Sequence, residues 1–389
     1  MTREKKKQKA KLGGFDSIYL ILVLVLLGIG LVMMFSASYP SAYYEGLKST
    51  HYFMRQLGFA ALGLVVMFAV SFIDYRRLRA LSPLLMGVSI VLLVMVLIIG
   101  TGNYGEKRWL NLGVRFQPSE IAKIAVTFFF ASYISTHSDK MRTFRYGVLP
   151  FVIVLGVLCG LMFLEPHLSG AILIAGIGAV IMFVGGTHWG WFAGVIGLGV
   201  TGGILAITQL DYAQARLRVW LDPFVDPKGK GWQAVQSLYA IGSGGLFGLG
   251  FGNSRQKYLY LPEAHNDFIF AVVCEELGFI GACIIMLLFA LLILRGFWIA
   301  TRAKDQFGAL LVVGITAQIA LQTLLNIGVV TGVLPVTGAS LPFFSYGGTS
   351  LLLLLAEVGI VLSVSRRMKT DAPTDPKQPE ESMDGEEAE

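Results

Sequence analysis

The chain is short of charge, of cysteine and of any phosphate-binding loop. Only 14% of its 389 residues are charged, against roughly 25% in a soluble domain. So little charge cannot cover a water-facing surface, which excludes a soluble enzyme, a secreted disulfide scaffold and a disordered protein. The three cysteines, Cys159, Cys274 and Cys283, fall in apolar segments without metal-ligand spacing and read as small core residues. The glycine-rich run SGGLFGLGFGNS, Ser243 to Ser254, has no GK[ST] after it and is not a nucleotide loop. No internal repeat is visible, which disfavours transporter folds built from two related halves.

Apolar residues make up 55% of the chain. They form ten runs long enough to span a bilayer. These are 16–38, 53–73, 80–100, 118–136, 146–164, 168–186, 188–208, 267–298, 308–330 and 348–365. The expected fold is an all-α polytopic membrane protein with ten transmembrane helices. The first run is too long for a cleaved signal and reads as an anchor. The eighth carries Glu275, Glu276 and Gly278 near its start and is expected to break or tilt there.

The net charge of +6 conceals an acidic tail, Asp371 to Glu389, holding eight acids and one lysine. The basic residues cluster beside apolar runs, so membrane topology explains them better than nucleic acid does. Ten spans put both termini on one side. With that side inside, 19 basic residues lie inside and 11 outside, so both termini are expected in the cytoplasm. The expected organisation is a basic head (1–15), a membrane domain (16–366) and a disordered acidic tail (367–389). Residues 209–266 form one long extracellular loop between helices 7 and 8, and long loops usually carry function.

Ionisable residues within spans are functional candidates. Glu120 and Lys123 follow Pro118 at i, i+3 spacing, so they can pair on one helix face. Asp267 sits where the long loop meets the eighth span, in PEAHNDFIFAVVCEELG. A cap is the bland reading of a lone acid there; a carboxylate taking a proton from a hydroxyl at the membrane surface is the sharper one. Of Glu275 and Glu276, only Glu275 can share the face of Asp267, and both are expected to find partners in other helices. External Lys107, Arg108, Arg216 and Arg218 suit phosphate oxygens, as do the pairs Lys228/Lys230 and Arg255/Lys257. LPVTGASLPFFSYGGTS, Leu334 to Ser350, reads as a re-entrant, protein-buried segment. His167 reads as structural, Glu357 as satisfied by a neighbouring helix, and Gln318 and Gln322 as interhelical hydrogen-bonders.

Four runs in order, WLNLGVRFQPSEIAK, KGKGWQAVQSLYAIGSGGLFGLGFGNSRQK, LPEAHNDFIFAVVCEELG and LPVTGASLPFFSYGGTS, resemble the SEDS family of cell-wall proteins (FtsW, RodA, SpoVE). The likeness covers nearly the whole chain and is strongest to the division and sporulation members. It implies a peptidoglycan glycosyltransferase of the bacterial plasma membrane, active on the outer face. Its substrates would be lipid II and an undecaprenyl-diphosphate-linked glycan. The resemblance makes Asp267 the essential aspartate and general base of an inverting reaction, and Glu120 and Lys123 the family's ion pair. It places Gln233, Gln236, Ser237, His265 and Ser345 among the substrate contacts. Its expected partners are a class B penicillin-binding protein and divisome or elongasome proteins, with membrane lipids and no nucleic acid. A divalent cation, Mg or Mn, could assist, although no dedicated metal cage is legible. The turn EPHLSG (Glu165 to Gly170) departs from relatives that read like QPDLGT. A lipid II transporter and a recruiting scaffold are the competing classes. The outer placement of Asp267 favours the enzyme, because a flippase would put its key charges near the midplane.

Overall fold

The computed structural model describes residues 13–102, 108–111, 113, 115–165, 167–195, 197, 201 and 211–368. Most of the basic head and nearly all of the acidic tail lie outside the described residues. The long helices are α1 (Ser17–Tyr44), α2 (His51–Phe72), α3 (Leu78–Ile99), α4 (Pro118–Thr136), α5 (Leu149–Leu164) and α6 (Leu168–Val184). After them come α7 (Asp211–Leu221), α8 (Trp232–Gly244), α9 (Ile269–Thr301), α10 (Gln306–Val330) and α11 (Gly348–Ser365). A small hairpin, β1 (Leu110–Asn111) with β2 (Arg115–Phe116), precedes α4.

The apolar runs fold as helices because a backbone in lipid must satisfy its own hydrogen bonds. Seven described helical segments are long and apolar enough to cross a membrane, so this is a helical, multi-pass membrane protein. The first run extends further than expected, to Tyr44. The run 188–208 is helical at 189–195 and lies largely outside the described residues beyond that. The long segment 209–266 is not wholly loop, because it contains α7 and α8.

α10 is the central helix: 72% of its apolar window is buried, against 22% for α2. It packs on α4, α6, α9 and α11, while α2 packs on α11 and α1 on α9. At one end of the bundle, Gly13 N donates to Arg366 O at 2.9 Å. Nearby, Arg295 pairs with Asp16 at 2.7 Å and Arg76 with Asp305 at 2.9 Å. The two ends of the described chain therefore meet on the same face. The opposite end gathers the turns after α1, α3 and α10 with the segment before α9.

The expected break in α9 falls at Gly278, whose φ of 69° lies in the left-handed region. A Cβ there would meet Gly248 N at 2.2 Å, so only glycine lets the two backbones touch. Both acids in the first part of α9 find a partner on another helix, as expected, Ser243 of α8 for Glu275 at 3.4 Å and Ser36 of α1 for Glu276, and both are also tied to the segment before α9. Glu275 accepts from Arg255 N at 2.9 Å and from the Ser254 hydroxyl. Glu276 pairs with Lys257 at 2.7 Å, both side chains fully buried, and accepts from Ser36 of α1 at 2.7 Å. Lys257, read as an external cation, is thus an internal strut.

Removing one partner of a buried ion pair leaves an uncompensated charge. Lys257→Met is expected to lower stability by ~3 kcal/mol, read as earlier thermal unfolding in detergent. Adding Glu276→Gln should recover part of that loss. Unchanged unfolding of the single variant would contradict the strut.

Candidate active site

A cavity of about 890 Å³ opens at the end of the bundle where α9 begins. Asp267, Glu120, Lys123, Arg108, Gln233 and Ser345 line it, so six of the expected site residues come together, with Gln318 and Gln322 beside them.

Asp267 precedes Phe268, which holds the N-cap position of α9. Its backbone is fixed from two sides. The Asn326 amide on α10 donates to Asp267 O and to Ala339 O, both at 2.7 Å. Ser345 Oγ donates to Asn266 O at 2.8 Å and accepts from Leu341 N at 2.7 Å. Tyr346 N donates to His265 O at 2.9 Å, and Gln56 of α2 closes on Ser345 O at 3.3 Å. The segment between α10 and α11, expected to be re-entrant, is therefore a non-helical clamp on the Asp267 turn. Gly338 lies in that clamp with φ 72°. A Cβ there would stand 3.0 Å from Asp267 Oδ2 and 3.8 Å from Arg108 Nη1. Carboxylate and guanidinium thus reach the same bare patch of backbone.

On the first turn of α4, Lys123 Nζ lies 2.8 Å from Glu120 Oε1, as the i, i+3 spacing requires. Ser169 of α6 donates to Gly338 O at 3.1 Å. His167, read as structural, lines the cavity instead. Its Nε2 lies 3.3 Å from the Gln117 amide nitrogen. That amide donates, which assigns the ring proton to Nδ1, and Nδ1 has no partner among the described residues. Burial, then the charges of Arg108 and Lys123, push the imidazole down to about 3, so it stays neutral. Burial pushes the neighbouring Glu165 carboxyl up to about 8, with Arg108 opposing.

The other expected site residues lie elsewhere. Gln236 is buried on α8, and Ser237 Oγ donates to Val330 O at 2.7 Å, which holds α8 against the bundle. His265 lies against the rings of Tyr52 and Tyr346 at 5.1 and 5.9 Å. Arg218 is exposed on α7 and is not among the cavity residues. Lys107 and the Arg216 side chain lie outside the described residues. Among the described residues, no three His, Cys, Asp or Glu side chains are grouped to hold a metal.

Sequence reasoning missed Arg55, Arg115, Gln117, Thr337 and Tyr346, all of which line the cavity. Arg55 carried a signal, as the only charge in the run 53–73. Arg115, Gln117 and Tyr346 stand inside the quoted motifs, but nothing in their spacing brings them together.

The profile of a family described as "Cell cycle protein" (FtsW, RodA, SpoVE) matches residues 17–370. The chain is 43% identical over 354 residues to Stage V sporulation protein E of Bacillus subtilis, covering 90% of this chain and 97% of that one. It is 40% identical over 362 residues to a probable peptidoglycan glycosyltransferase FtsW of Trichlorobacter lovleyi, covering 92% and 95%. Its fold superposes with a TM-score of 0.77 and 31% identity on a chain of a peptidoglycan synthase complex that coordinates polymerization and crosslinking. That match covers 90% of this chain and 98% of the other.

Glu165 and His167 give stability two opposed pH limbs. A raised carboxyl favours the fold while protonated, so its contribution is lost as pH rises from 4.5 through about 8. A lowered imidazole favours the fold while neutral, so its contribution is lost as pH falls from 6.5 toward about 3. Thermal unfolding in detergent should therefore show a decline between pH 4.5 and about 8 that Glu165→Gln removes. An unaltered decline over that range in the variant would contradict a buried neutral acid.

Proposed function

The chain belongs to the FtsW, RodA and SpoVE family of cell cycle proteins, and from that membership we propose that it is a peptidoglycan glycosyltransferase of septal wall synthesis. It polymerises lipid II into β-1,4-linked glycan. The observation that carries this reading is Asp267, a carboxylate lining a cavity beside Arg108.

Asp267 acts as general base on the 4-hydroxyl of the acceptor's terminal sugar. The freed oxygen attacks the anomeric carbon of the donor glycan from the face opposite the α-linked undecaprenyl diphosphate. The new bond is β, the bond to the diphosphate oxygen breaks, and the leaving group keeps its electron pair. The proton stays on Asp267 until solvent removes it. Arg108 balances the carboxylate and the charge that develops beside it. The Glu120–Lys123 pair holds the inner wall of the cavity without adding net charge. Arg216 and Arg218 on α7 are outlying cations for the lipid diphosphate. Among the described residues no three His, Cys, Asp or Glu side chains are grouped to hold a metal, and no step is assigned to one.

The protein sits in the plasma membrane with ten crossings, both termini in the cytoplasm and the cavity facing outward. The basic residues that flank the spans support this orientation, as does the contact between Gly13 and Arg366. A class B penicillin-binding protein is the expected partner within the divisome. The fold shared with a chain of a peptidoglycan synthase complex supports that assignment.

Asp267→Asn, purified with its transpeptidase partner and given lipid II, should lose polymerisation by ~10²–10⁴-fold. Its thermal unfolding should stay close to the parent's. Parental rates from the variant would remove Asp267 from the role of base. A parent that moves lipid II across vesicles and makes no glycan would replace the enzyme with a transporter.

A further inference from the structure

Three neutral side chains that line the cavity hold buried polar atoms with no hydrogen-bond partner among the described residues. They are Ser119 Oγ on α4, His167 Nδ1 at the start of α6 and Thr337 Oγ1 in the clamp before α11. Ser119 is 2% exposed and His167 6%. A buried polar atom left unpaired is costly, so an unpaired set on a cavity wall points to a ligand that completes it.

Two bonds join the three elements into one wall. The amide of Gln117, two residues before Ser119, reaches His167 Nε2 at 3.3 Å. Ser169 Oγ, two residues after His167, donates to Gly338 O at 3.1 Å, next to Thr337. Gly338 is also the glycine that Asp267 Oδ2 faces, so the wall runs up to the carboxylate. Gln117 is held extended (φ −105°, ψ 114°) because Pro118 follows it, and its side chain makes no bond to the helix it precedes. His167 holds the N-cap position of α6 without using its ring as a cap. Its N–H bonds Met162 O at 2.9 Å, and its carbonyl accepts from Ala171 N at 3.2 Å. A Cβ on Gly170 would stand 2.6 Å from both Nδ1 and Cε1, so glycine there makes room for the ring edge. Gly170 and Leu173, at i, i+3 on α6, line the cavity beside that edge.

The wall thus offers one fixed N–H donor, two hydroxyls that donate or accept, and an apolar patch at Leu173. An acetamido group matches this set. Its carbonyl oxygen takes the imidazole N–H, its amide N–H meets a hydroxyl, and its methyl lies against the leucine. We infer that His167 Nδ1–H, with Ser119 and Thr337 beside it, recognises the acetamido group of the acceptor's terminal sugar and makes His167 a specificity-determining residue. This rests on the glycosyltransferase reading and adds which sugar the reaction accepts. The acetamido group sits two ring carbons from the 4-hydroxyl, so holding it against α6 turns that hydroxyl toward Asp267. A sugar with a hydroxyl in place of the acetamido group leaves the imidazole N–H unpaired, and a site built around such a donor rejects it.

The test compares lipid II with an analogue whose terminal sugar carries a hydroxyl in place of the acetamido group. Binding of each lipid is measured on the detergent-purified full chain, for the parent, His167→Phe, His167→Asn and Ser119→Ala, with thermal unfolding as a check on each fold. The parent should prefer lipid II by roughly tenfold or more. His167→Phe should abolish most of that preference by weakening lipid II while leaving the analogue unchanged. His167→Asn should retain part of it, because its amide N–H can stand close to the place of Nδ1. Ser119→Ala should show a smaller loss. A parent without a preference, or an unchanged preference in His167→Phe, would overturn the inference. An equal weakening of both lipids would also overturn it, since that marks a structural role. Should His167→Phe fail to fold, an unchanged preference in both His167→Asn and Ser119→Ala overturns it, and a reduced one in both supports it. Polymerisation of lipid II by the same proteins, with the transpeptidase partner, separates the two claims. A polymerising parent whose His167 variants keep the preference defeats the recognition alone. A parent that selects lipid II through His167 but makes no glycan defeats the enzyme reading alone.

Discussion

The Asn326 amide makes two bonds of 2.7 Å, one to Asp267 O and one to Ala339 O, and the geometry of the cavity follows from them. Asn326 stands on α10, the most enclosed of the long helices, and it joins the turn before α9 to the segment before α11. Both segments have irregular backbone packed against the helices, where unpaired amides and carbonyls are expensive. Asn326, Ser345 and Gln56 supply the missing partners. The same bonds that satisfy the backbone therefore locate Asp267, Gly338 and Tyr346 relative to one another.

The scarce charges of this chain divide into two populations. Glu276 with Lys257, Asp16 with Arg295 and Asp305 with Arg76 neutralise each other where they lie and tie segments together. Such pairs hold the frame, because a single buried charge would be intolerable. The second population lines the cavity. Asp267 and Arg108 face one glycine there, and Arg55 and Arg115 line the same cavity. Glu120 and Lys123 belong to both groups, since they are paired with each other and also line the cavity. Charge gathered beside a cavity is what a reaction on a charged lipid carrier requires.

Much of this was legible in the sequence, for physical reasons. Apolar runs reported the helices because lipid demands them. The i, i+3 spacing reported Glu120 with Lys123, and Gly278 reported the break in α9. Asp267 was legible because it stands where a polar segment enters a span. Lys257 was misread because its partner is 19 residues away, on the far side of an irregular segment, in a helix that is kinked at Gly278. α7 and α8 were overlooked because polar and glycine-rich stretches mask their turns. His167 looked like a packing residue, yet its ring faces the cavity with one nitrogen unpaired among the described residues. That Arg55, Arg115 and Tyr346 line one cavity was not legible, since they stand on three segments far apart in the chain.

The most direct measurement is a structure of the full chain holding an acceptor lipid II, read for one distance. The account predicts the 4-hydroxyl oxygen of the terminal sugar within hydrogen-bond reach of the Asp267 carboxylate, about 2.6–3.2 Å. A terminal sugar bound in the cavity with that hydroxyl turned away from Asp267, and with no bridging water, would contradict it.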